Sequence, residues 1–332
     1  MLLKVIIILT SSLFSLVFFE FFLENSPFEN GTSPVEYDSQ IGMWHKKSFE
    51  GYTVKECYKT KYKFNKEGLP SSIYKHSPAK KNVAILGDSQ IEGIMVKNEN
   101  IIHNSLSKEF NRRYNFMNYG ISGSSPTQQF IILKDKVNLK NTRHVIQFIN
   151  LENELNDVDS CNISYLARPK VQVVFYTLDE YKIILPRVKT LYDSIGDLLG
   201  DYQIYFFIKK SLYYLRDNIL SKKDQKDQKD QKDQKDLSKN WLYLKGAIYQ
   251  INKHIKSTDI GVKYKIIIIS DNEKNKLILK KFLDEENIEF IFLNDIAKSM
   301  NIELKSFECD GHWNDETHKN IAKIIEKVDF ID

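Results

Sequence analysis

The chain has 332 residues, of which 42% are apolar, so it is long enough to bury one large hydrophobic core or a core with an appendage. Its 48 basic and 44 acidic side chains leave a formal net charge of +4. This near balance, without arginine runs interleaved with aromatic residues, argues against a nucleic-acid partner. The sequence carries no Gly-x-x-x-x-Gly-Lys loop and no cluster of His or Cys ligands, so we expect neither a metal nor another cofactor.

Residues 1–23 form an apolar segment that is long enough to cross a membrane, which takes roughly 20 residues. Lys4 lies at its start, on the side expected to stay cytoplasmic, and no Ala-x-Ala cleavage motif follows it. Glu20, near the other end, is expected to reach the interface. We therefore predict an uncleaved signal anchor, with the rest of the chain outside the cytoplasm. A cleaved signal peptide and a buried amphipathic helix are the alternatives.

Residues 24–81 are polar and carry short β-like fragments, which predicts an extracytoplasmic extension. From residue 82 onward, continuous apolar runs alternate with helical patterns, and such runs suit strands that are covered on both faces. The pattern predicts strands at 82–86, 116–119, 145–151, 264–270 and 288–293. It predicts helices near 101–114, 127–138 and 272–286, and a last one capped by Asn314 or Asp315. The expected fold class is α/β, a three-layer α/β/α sandwich with a parallel, flavodoxin-like central sheet over residues 82–332.

Residues 159–263 form an insertion that is far longer than an ordinary connection between a helix and a strand. Residues 202–207 and 213–214 are rich in aromatic side chains, for which core packing is the ordinary explanation. A lid over the site and a second membrane contact are the alternatives. Four Asp-Gln-Lys units follow at 224–235, and a period of three gives no apolar face in a helix or a strand. We predict that this repeat is a solvated linker or an exposed helical extension.

Polar or glycine-rich clusters follow three of the predicted strands. They are Gly87-Asp88-Ser89, the segment 120–125 and Asn153, and a fourth cluster, Asp310-Gly311-His312, lies near the C-terminus. The carboxyl ends of parallel strands meet at one edge of a sheet, so these clusters are expected to share a site. A serine, a histidine, a carboxylate and oxyanion donors are the groups needed for nucleophilic acyl transfer.

The four clusters resemble, in order and spacing, the sequence blocks of the SGNH hydrolases, also called GDSL-like esterases and lipases. The resemblance spans most of the chain and implies that Ser89 is the nucleophile, His312 the base and Asp310 its orienting carboxylate. It also implies an oxyanion hole made by the N–H groups of Ser89 and Gly123 and the side-chain amide of Asn153.

The chain departs from the family pattern in two blocks. Glu152 and Glu154 flank Asn153 where the family usually has Gly and Asp, and inward-pointing carboxylates would oppose a developing oxyanion. Asp310 and His312 are two residues apart rather than three. Gly311 lets the loop bend, so a hydrogen bond between the two side chains remains feasible.

Two other residues are alternatives in the chemistry. His318 is an alternative base, but we expect it to be an exposed helix residue. Cys309 adjoins Asp310 and is an alternative nucleophile, for which packing as a small residue at the end of a loop is the ordinary interpretation. The three cysteines, Cys57, Cys161 and Cys309, allow at most one disulfide with one thiol left over.

The resemblance implies a serine esterase that acts on acyl esters, above all acetyl esters, of an extracytoplasmic carbohydrate. A polysaccharide O-acetyltransferase with the same triad is an alternative, because an acyl-enzyme can pass its acyl group to water or to a sugar hydroxyl. A catalytically inert glycan-binding scaffold is the non-enzyme alternative, and a lipase is less favoured because no long apolar lid is evident. The expected partners are the ester substrate and the membrane.

Overall fold

A computed structural model describes residues 2–24, 31–157, 169–200, 202–220 and 229–331 of the chain. The helices are α1 (Leu2–Glu24), α2 (Ser89–Glu92), α3 (Ile102–Glu109), α4 (Pro126–Lys136), α5 (Leu151–Asp157), α6 (Leu191–Leu199), α7 (Gln203–Leu220), α8 (Lys229–Lys256), α9 (Glu273–Glu285), α10 (Leu293–Ser299) and α11 (Asp315–Lys327). The strands are β1 (Val35–Asp38), β2 (Gly42–His45), β3 (Glu50–Lys55), β4 (Tyr58–Lys63), β5 (Asn82–Leu86), β6 (Asn115–Asn118), β7 (Thr142–Asn150), β8 (Gln172–Phe175), β9 (Tyr181–Ile184), β10 (Lys263–Ile269) and β11 (Glu289–Phe292).

Five of these strands form one parallel sheet in the order β11-β10-β7-β5-β6. The chain starts this sheet at β5, adds β6 on one side and then returns to add β7 on the other. The strand order therefore reverses beside β5, and such a reversal opens a crevice at the carboxyl ends of the strands. The predicted parallel sheet is confirmed, and its strands lie within three residues of the predicted bounds.

Successive residues of each strand pack into two different hydrophobic cores, because side chains point alternately to the two faces of a sheet. In β5, Val83 and Ile85 pack with α3, α10 and α11, whereas Ala84 and Leu86 pack with α4, α8 and α9. Helices therefore cover both faces, which confirms the three-layer sandwich. The last helix starts after its Asn314 cap as predicted, whereas α3 ends early at Glu109, before two residues with positive φ.

The extension is built from two antiparallel hairpins, β1–β2 and β3–β4. A disulfide joins Cys57, in the turn of the second hairpin, to Cys309, 252 residues away. The interpretation of Cys309 as a small packing residue is therefore wrong, and a disulfide sulfur is no nucleophile. Cys161 lies outside the described residues.

The predicted insertion contributes to the sandwich. Leu244, Ile248 and Ile251 on α8 are buried in the core that covers one face of the sheet. Residues 229–235 of the Asp-Gln-Lys repeat form the first turns of α8, and residues 224–228 lie outside the described part of the chain.

The N-terminal helix α1 is the one helix among the described residues that is long and apolar enough to cross a membrane. Its side chains are exposed along most of its length, with Phe14 73% exposed, so the alternative of a helix buried in the core is wrong. Glu20 accepts hydrogen bonds from the backbone N–H groups of Gln203 (2.5 Å) and Ile204 (2.9 Å), at the start of α7. Tyr202 and Phe207 of the aromatic segment are exposed, so core packing is wrong for these two side chains, whereas the side chains of Phe206, Tyr213 and Tyr214 lie outside the described part of the structure.

His318 is fully buried, which contradicts its expected exposure on the last helix. Its Nδ1 accepts a hydrogen bond from the Ile102 N–H at 3.2 Å, so the ring serves the packing of α11 against α3. Burial lowers the pKa of His318 from 6.5 to about 4 and that of the equally buried His103 to about 3. Both rings are thus neutral in the folded protein at neutral pH.

These two histidines should make the fold sensitive to acid. Below about pH 6.5 the unfolded chain binds protons that the folded chain does not, so the free energy of unfolding falls by roughly 1.4 kcal/mol per pH unit for each histidine until the folded pKa is reached. His318→Asn, which keeps an acceptor near the position of Nδ1, should remove about half of this pH dependence. Urea unfolding of both full chains in detergent at about pH 7 and about pH 5.5 tests this, and equal pH dependence in the two proteins would contradict it.

Candidate active site

Ser89 lies at the start of the short helix α2, directly after β5. Asp88 caps this helix, because its carboxylate accepts a hydrogen bond from the Gln90 N–H at 2.9 Å. A side chain at position 87 would collide with Ile91, so glycine is needed for the sharp turn from strand to helix. The turn leaves Ser89 partly exposed at the carboxyl edge of the sheet, and its N–H belongs to the first turn of a helix, where such groups have no partner within the helix.

The structure brings His312 and Asp310 to Ser89. The Nε2 atom of His312 lies 2.9 Å from the Ser89 hydroxyl oxygen, and its Nδ1 lies 3.2 Å from a carboxylate oxygen of Asp310. The spacing of two residues is therefore compatible with a close approach of the two side chains. The backbone N–H of His312 also donates to Asp310, at 3.1 Å, which stabilises the turn between them.

The loop after β6 carries Gly123, which has a φ of +72° that disfavours other residues. The loop is held against the end of β5 by the Gly87 carbonyl, which accepts hydrogen bonds from the Ile121 N–H and, at 2.9 Å, from the Ser124 hydroxyl. Its neighbour Gly120 lies so close to the backbone of Glu92 that a Cβ atom there would be 2.5 Å from the Glu92 nitrogen. The loop and the Ser89 helix are thus fixed to each other.

Asn153 lies in the first turn of α5, after β7, and its side chain is exposed. Its Nδ2 is 3.4 Å from a carboxylate oxygen of Asp88, which places the amide beside the Ser89 turn. Burial raises the pKa of Asp88, against the hydrogen bonds and the His312 charge that act to lower it. All three predicted oxyanion donors therefore belong to loops that meet around the end of β5, and their role stays a prediction.

The two glutamates beside Asn153 are held by other contacts. Glu152 accepts a hydrogen bond from the Ser270 hydroxyl at 2.5 Å and another from the Asn272 N–H at 3.3 Å, so it turns toward the end of β10. Because β10 lies on the side of β7 opposite to β5, this carboxylate points away from Ser89. Glu154 is buried.

Tyr58 is a neighbour of the predicted triad that the sequence did not reveal. Its hydroxyl donates to Asp310 at 2.6 Å, and its ring packs against Phe307. Burial acts to raise the pKa of Asp310, but the hydrogen bonds from Tyr58 and the His312 N–H and the charge of His312 outweigh it, so this pKa lies below its ordinary value. The adjacent Cys57–Cys309 disulfide fastens the same hairpin to the same loop.

A second set of contacts from the extension reaches the other side of the candidate site. His45, fully buried on β2, lies with its Nε2 2.7 Å from a carboxylate oxygen of the fully buried Glu92, at the end of the Ser89 helix. The other carboxylate oxygen of Glu92 accepts a hydrogen bond from the Ser122 hydroxyl, next to Gly123.

The protons in this buried cluster follow from its geometry. Nδ1 of His45 lies 2.8 Å from the Gly68 carbonyl, and because a carbonyl only accepts, Nδ1 must carry a proton. His45 thus links the Gly68 turn of the extension to the Ser89 helix and to the Gly123 loop, through contacts that no local sequence pattern could have revealed.

A pocket of about 380 Å³, counting space open to solvent, adjoins Gly123. Its wall is mostly apolar and comes from the β1–β2 hairpin, the Gly123 loop and α4. Lys170 also lines it and donates to the Gly123 carbonyl at 2.5 Å.

Among solved structures, the chain is similar to one described as a lipolytic protein of the G-D-S-L family from Desulfitobacterium hafniense DCB-2, with 11% identity, a TM-score of 0.41 and coverage of 75% of this chain and 99% of that one. It is also similar to an acetyl xylan esterase (13% identity, TM-score 0.37, 74% and 98% coverage). A third is a two-domain esterase active on acetylated mannans (12% identity, TM-score 0.39), of which the chain spans half the length and which covers 76% of this chain. No protein-family model and no curated protein matches the chain. At identities this low, its chemistry has to be judged from its own side chains.

Breaking the His45–Glu92 pair should lower the free energy of unfolding substantially. His45→Leu leaves the Glu92 carboxylate buried without its histidine, and removal of one partner of a buried pair typically costs about 3–5 kcal/mol. Replacing both, as His45→Leu with Glu92→Leu, should recover much of that loss. Lys63→Leu, which breaks an ion pair whose side chains are 59% and 69% exposed, is the matched control and should leave the free energy of unfolding almost unchanged, because exposed ion pairs contribute little to stability. Urea unfolding measures all four proteins, and a similar loss for His45→Leu and Lys63→Leu would contradict the prediction.

Proposed function

We propose that this chain is a serine esterase of the SGNH type that hydrolyses acyl esters, above all acetyl esters, of an extracytoplasmic carbohydrate. The observation that carries the proposal is the distance of 2.9 Å between His312 Nε2 and the Ser89 hydroxyl, with Asp310 3.2 Å from the other ring nitrogen. These are the contacts that a base and its orienting carboxylate need in order to activate a serine.

In the proposed mechanism, His312 accepts the Ser89 proton through Nε2 while Ser89 attacks the ester carbonyl. Asp310 holds the ring so that Nδ1 carries a proton, and its lowered pKa keeps it ionised at neutral pH. The N–H groups of Ser89 and Gly123 and the amide of Asn153 stabilise the tetrahedral oxyanion. His312 then donates this proton to the leaving alcohol, which leaves an acyl group on Ser89. In the second half, His312 accepts a proton from water as the water attacks the acyl carbonyl, and then returns it to Ser89 as the free acid is released.

The proposed location is outside the cytoplasm, with α1 as a retained membrane anchor. Two observations support it. The helix α1 is exposed and long enough to span a bilayer, and the Cys57–Cys309 disulfide suits an oxidising compartment, since disulfides are rare in the cytosol.

The proposed substrate class rests on the openness of the candidate site. Ser89 and His312 are partly exposed, and Asn153 is exposed at the mouth of the site. Such an open edge gives access to an ester on a bulky, hydrated chain, as a carbohydrate polymer is.

Replacement of the nucleophile tests the proposal first. Ser89→Ala should lose hydrolysis of a small aryl acetate and labelling by a fluorophosphonate, because both need a serine oxygen activated by His312. Ser299→Ala, at the end of α10, is the matched control and should keep both. A folded parent protein that neither hydrolyses the acetate nor takes the label would overturn the proposal. Release of free acetate from acetylated oligosaccharide, compared with its transfer to an added sugar acceptor, separates an esterase from a transferase.

The role of Asn153 can be tested by two substitutions. Asn153→Ala should lower kcat by about 10² to 10³, the usual cost of one oxyanion donor. Asn153→Asp should lower it at least as much, because it replaces the donor by a negative charge beside Asp88. Steady-state kinetics on the aryl acetate provides the measurement, and a kcat for either variant within about threefold of the parent would remove Asn153 from the proposed oxyanion hole.

A further inference from the structure

One helix of the chain exposes a complete apolar face. On α6, Leu191, Ile195 and Leu198 recur at intervals of four and three residues, so they share one side of the helix. Leu191 is 78% exposed and Leu198 is 74% exposed. A soluble protein rarely leaves a contiguous face of this kind in water, so it marks an interaction surface.

The opposite side of α6 is paired with the segment that leads into the helix. Asp193 pairs with Arg187 at 2.5 Å, and Asp197 pairs with Lys189 at 2.6 Å. The helix is also capped by Thr190, in the same segment. These contacts occupy the polar side of α6, whereas Leu191, Ile195 and Leu198 on the other side stay exposed.

The next helix also exposes apolar side chains. On α7, Ile208 and Leu212 lie one turn apart and are exposed, with Phe207 beside them. Lys210, also exposed, and Lys209 lie between them in sequence. Aromatic and aliphatic residues combined with lysines are typical of helices that lie in the headgroup region of a membrane.

Both helices are joined to the part of the chain that is apolar enough to span a bilayer. The Glu20 carboxylate near the end of α1 accepts hydrogen bonds from the first N–H groups of α7, and Phe19 packs edge-on against Phe207. The Gly200 carbonyl after α6 accepts a hydrogen bond from the N–H of Ser33, in the segment that follows α1. The exposed apolar faces therefore begin where α1 ends.

We propose that α6 and the first turns of α7, residues 191–199 and 203–212, form a membrane platform that lies in the interface of the same bilayer that α1 spans. Its apolar side chains enter the headgroup and upper acyl region, and Lys210 favours anionic lipids. The platform rests on the proposed retention of α1. It adds a second attachment, which fixes the orientation of the catalytic domain relative to the membrane more closely than α1 alone.

Quenching by brominated lipid tests the platform. Leu198→Trp places a fluorophore on it, and Leu277→Trp is the matched control, because Leu277 is similarly exposed (66%) but lies on α9 of the sandwich. Each full chain is reconstituted into vesicles of phosphatidylcholine and phosphatidylglycerol, with and without lipids brominated near the top of the acyl chain. The parent protein supplies the background from Trp44, Trp241 and Trp313, and intact mass shows whether α1 is retained.

The platform predicts that brominated lipid removes at least about half of the added fluorescence in Leu198→Trp and little of it in Leu277→Trp. Quenching no greater at position 198 than at position 277 overturns it. Protection of Leu198→Trp from aqueous acrylamide without quenching by lipid also overturns it and identifies a protein partner, such as a second copy of the chain. Aryl acetate hydrolysis, measured on the same samples, reports on the proposed esterase separately, so the two proposals can fail independently.

Discussion

The reversal of strand order beside β5 is the constraint on which the candidate site depends. Since β6 and β7 flank β5, the loops that follow these three strands end at the same edge of the sheet. Ser89, Gly123 and Asn153 each come from one of these loops, and none of them is near the others in sequence. A strand order without this reversal would have separated the serine from at least one of its predicted oxyanion donors.

The sandwich alone does not complete the environment of these residues, because the N-terminal extension contacts both sides of the site. On one side, Tyr58 and the Cys57–Cys309 disulfide hold the loop that carries Asp310 and His312. On the other, His45 holds Glu92 and through it Ser122. The extension is therefore a structural part of the candidate site, although its own residues supply no member of the triad.

The sequence predicted the elements whose signal is local. Buried strands show as continuous apolar runs, and the cap at Asn314 is a local hydrogen bond, so the strands, the layers and the start of the last helix follow from composition and spacing. The resemblance of the sequence blocks to a known family predicted that Ser89, Asp310 and His312 share a site. In the structure, His312 lies 2.9 Å from Ser89 and 3.2 Å from Asp310.

The features that were missed depend on contacts between segments far apart in sequence. His45 lies on a four-residue strand whose sequence has no distinctive pattern. The sequence contains three cysteines, and it does not show which two of them form the disulfide. His318 was expected on the exposed side of α11, but the ring turns inward because the Ile102 N–H at the start of α3 needs an acceptor.

The long-range contacts also show what the position of the His312 loop depends on. Cys57 and Cys309 are separated by 252 residues, and Tyr58 and Asp310 by the same number of residues. The loop that carries His312 is therefore held in its observed position by the N-terminal extension as well as by the sandwich. Disulfides persist in oxidising compartments, so the proposed export of the chain would supply the condition that the Cys57–Cys309 contact needs. The arrangement of Ser89, His312 and Asp310 thus depends on the extension and the sandwich together, rather than on any local segment.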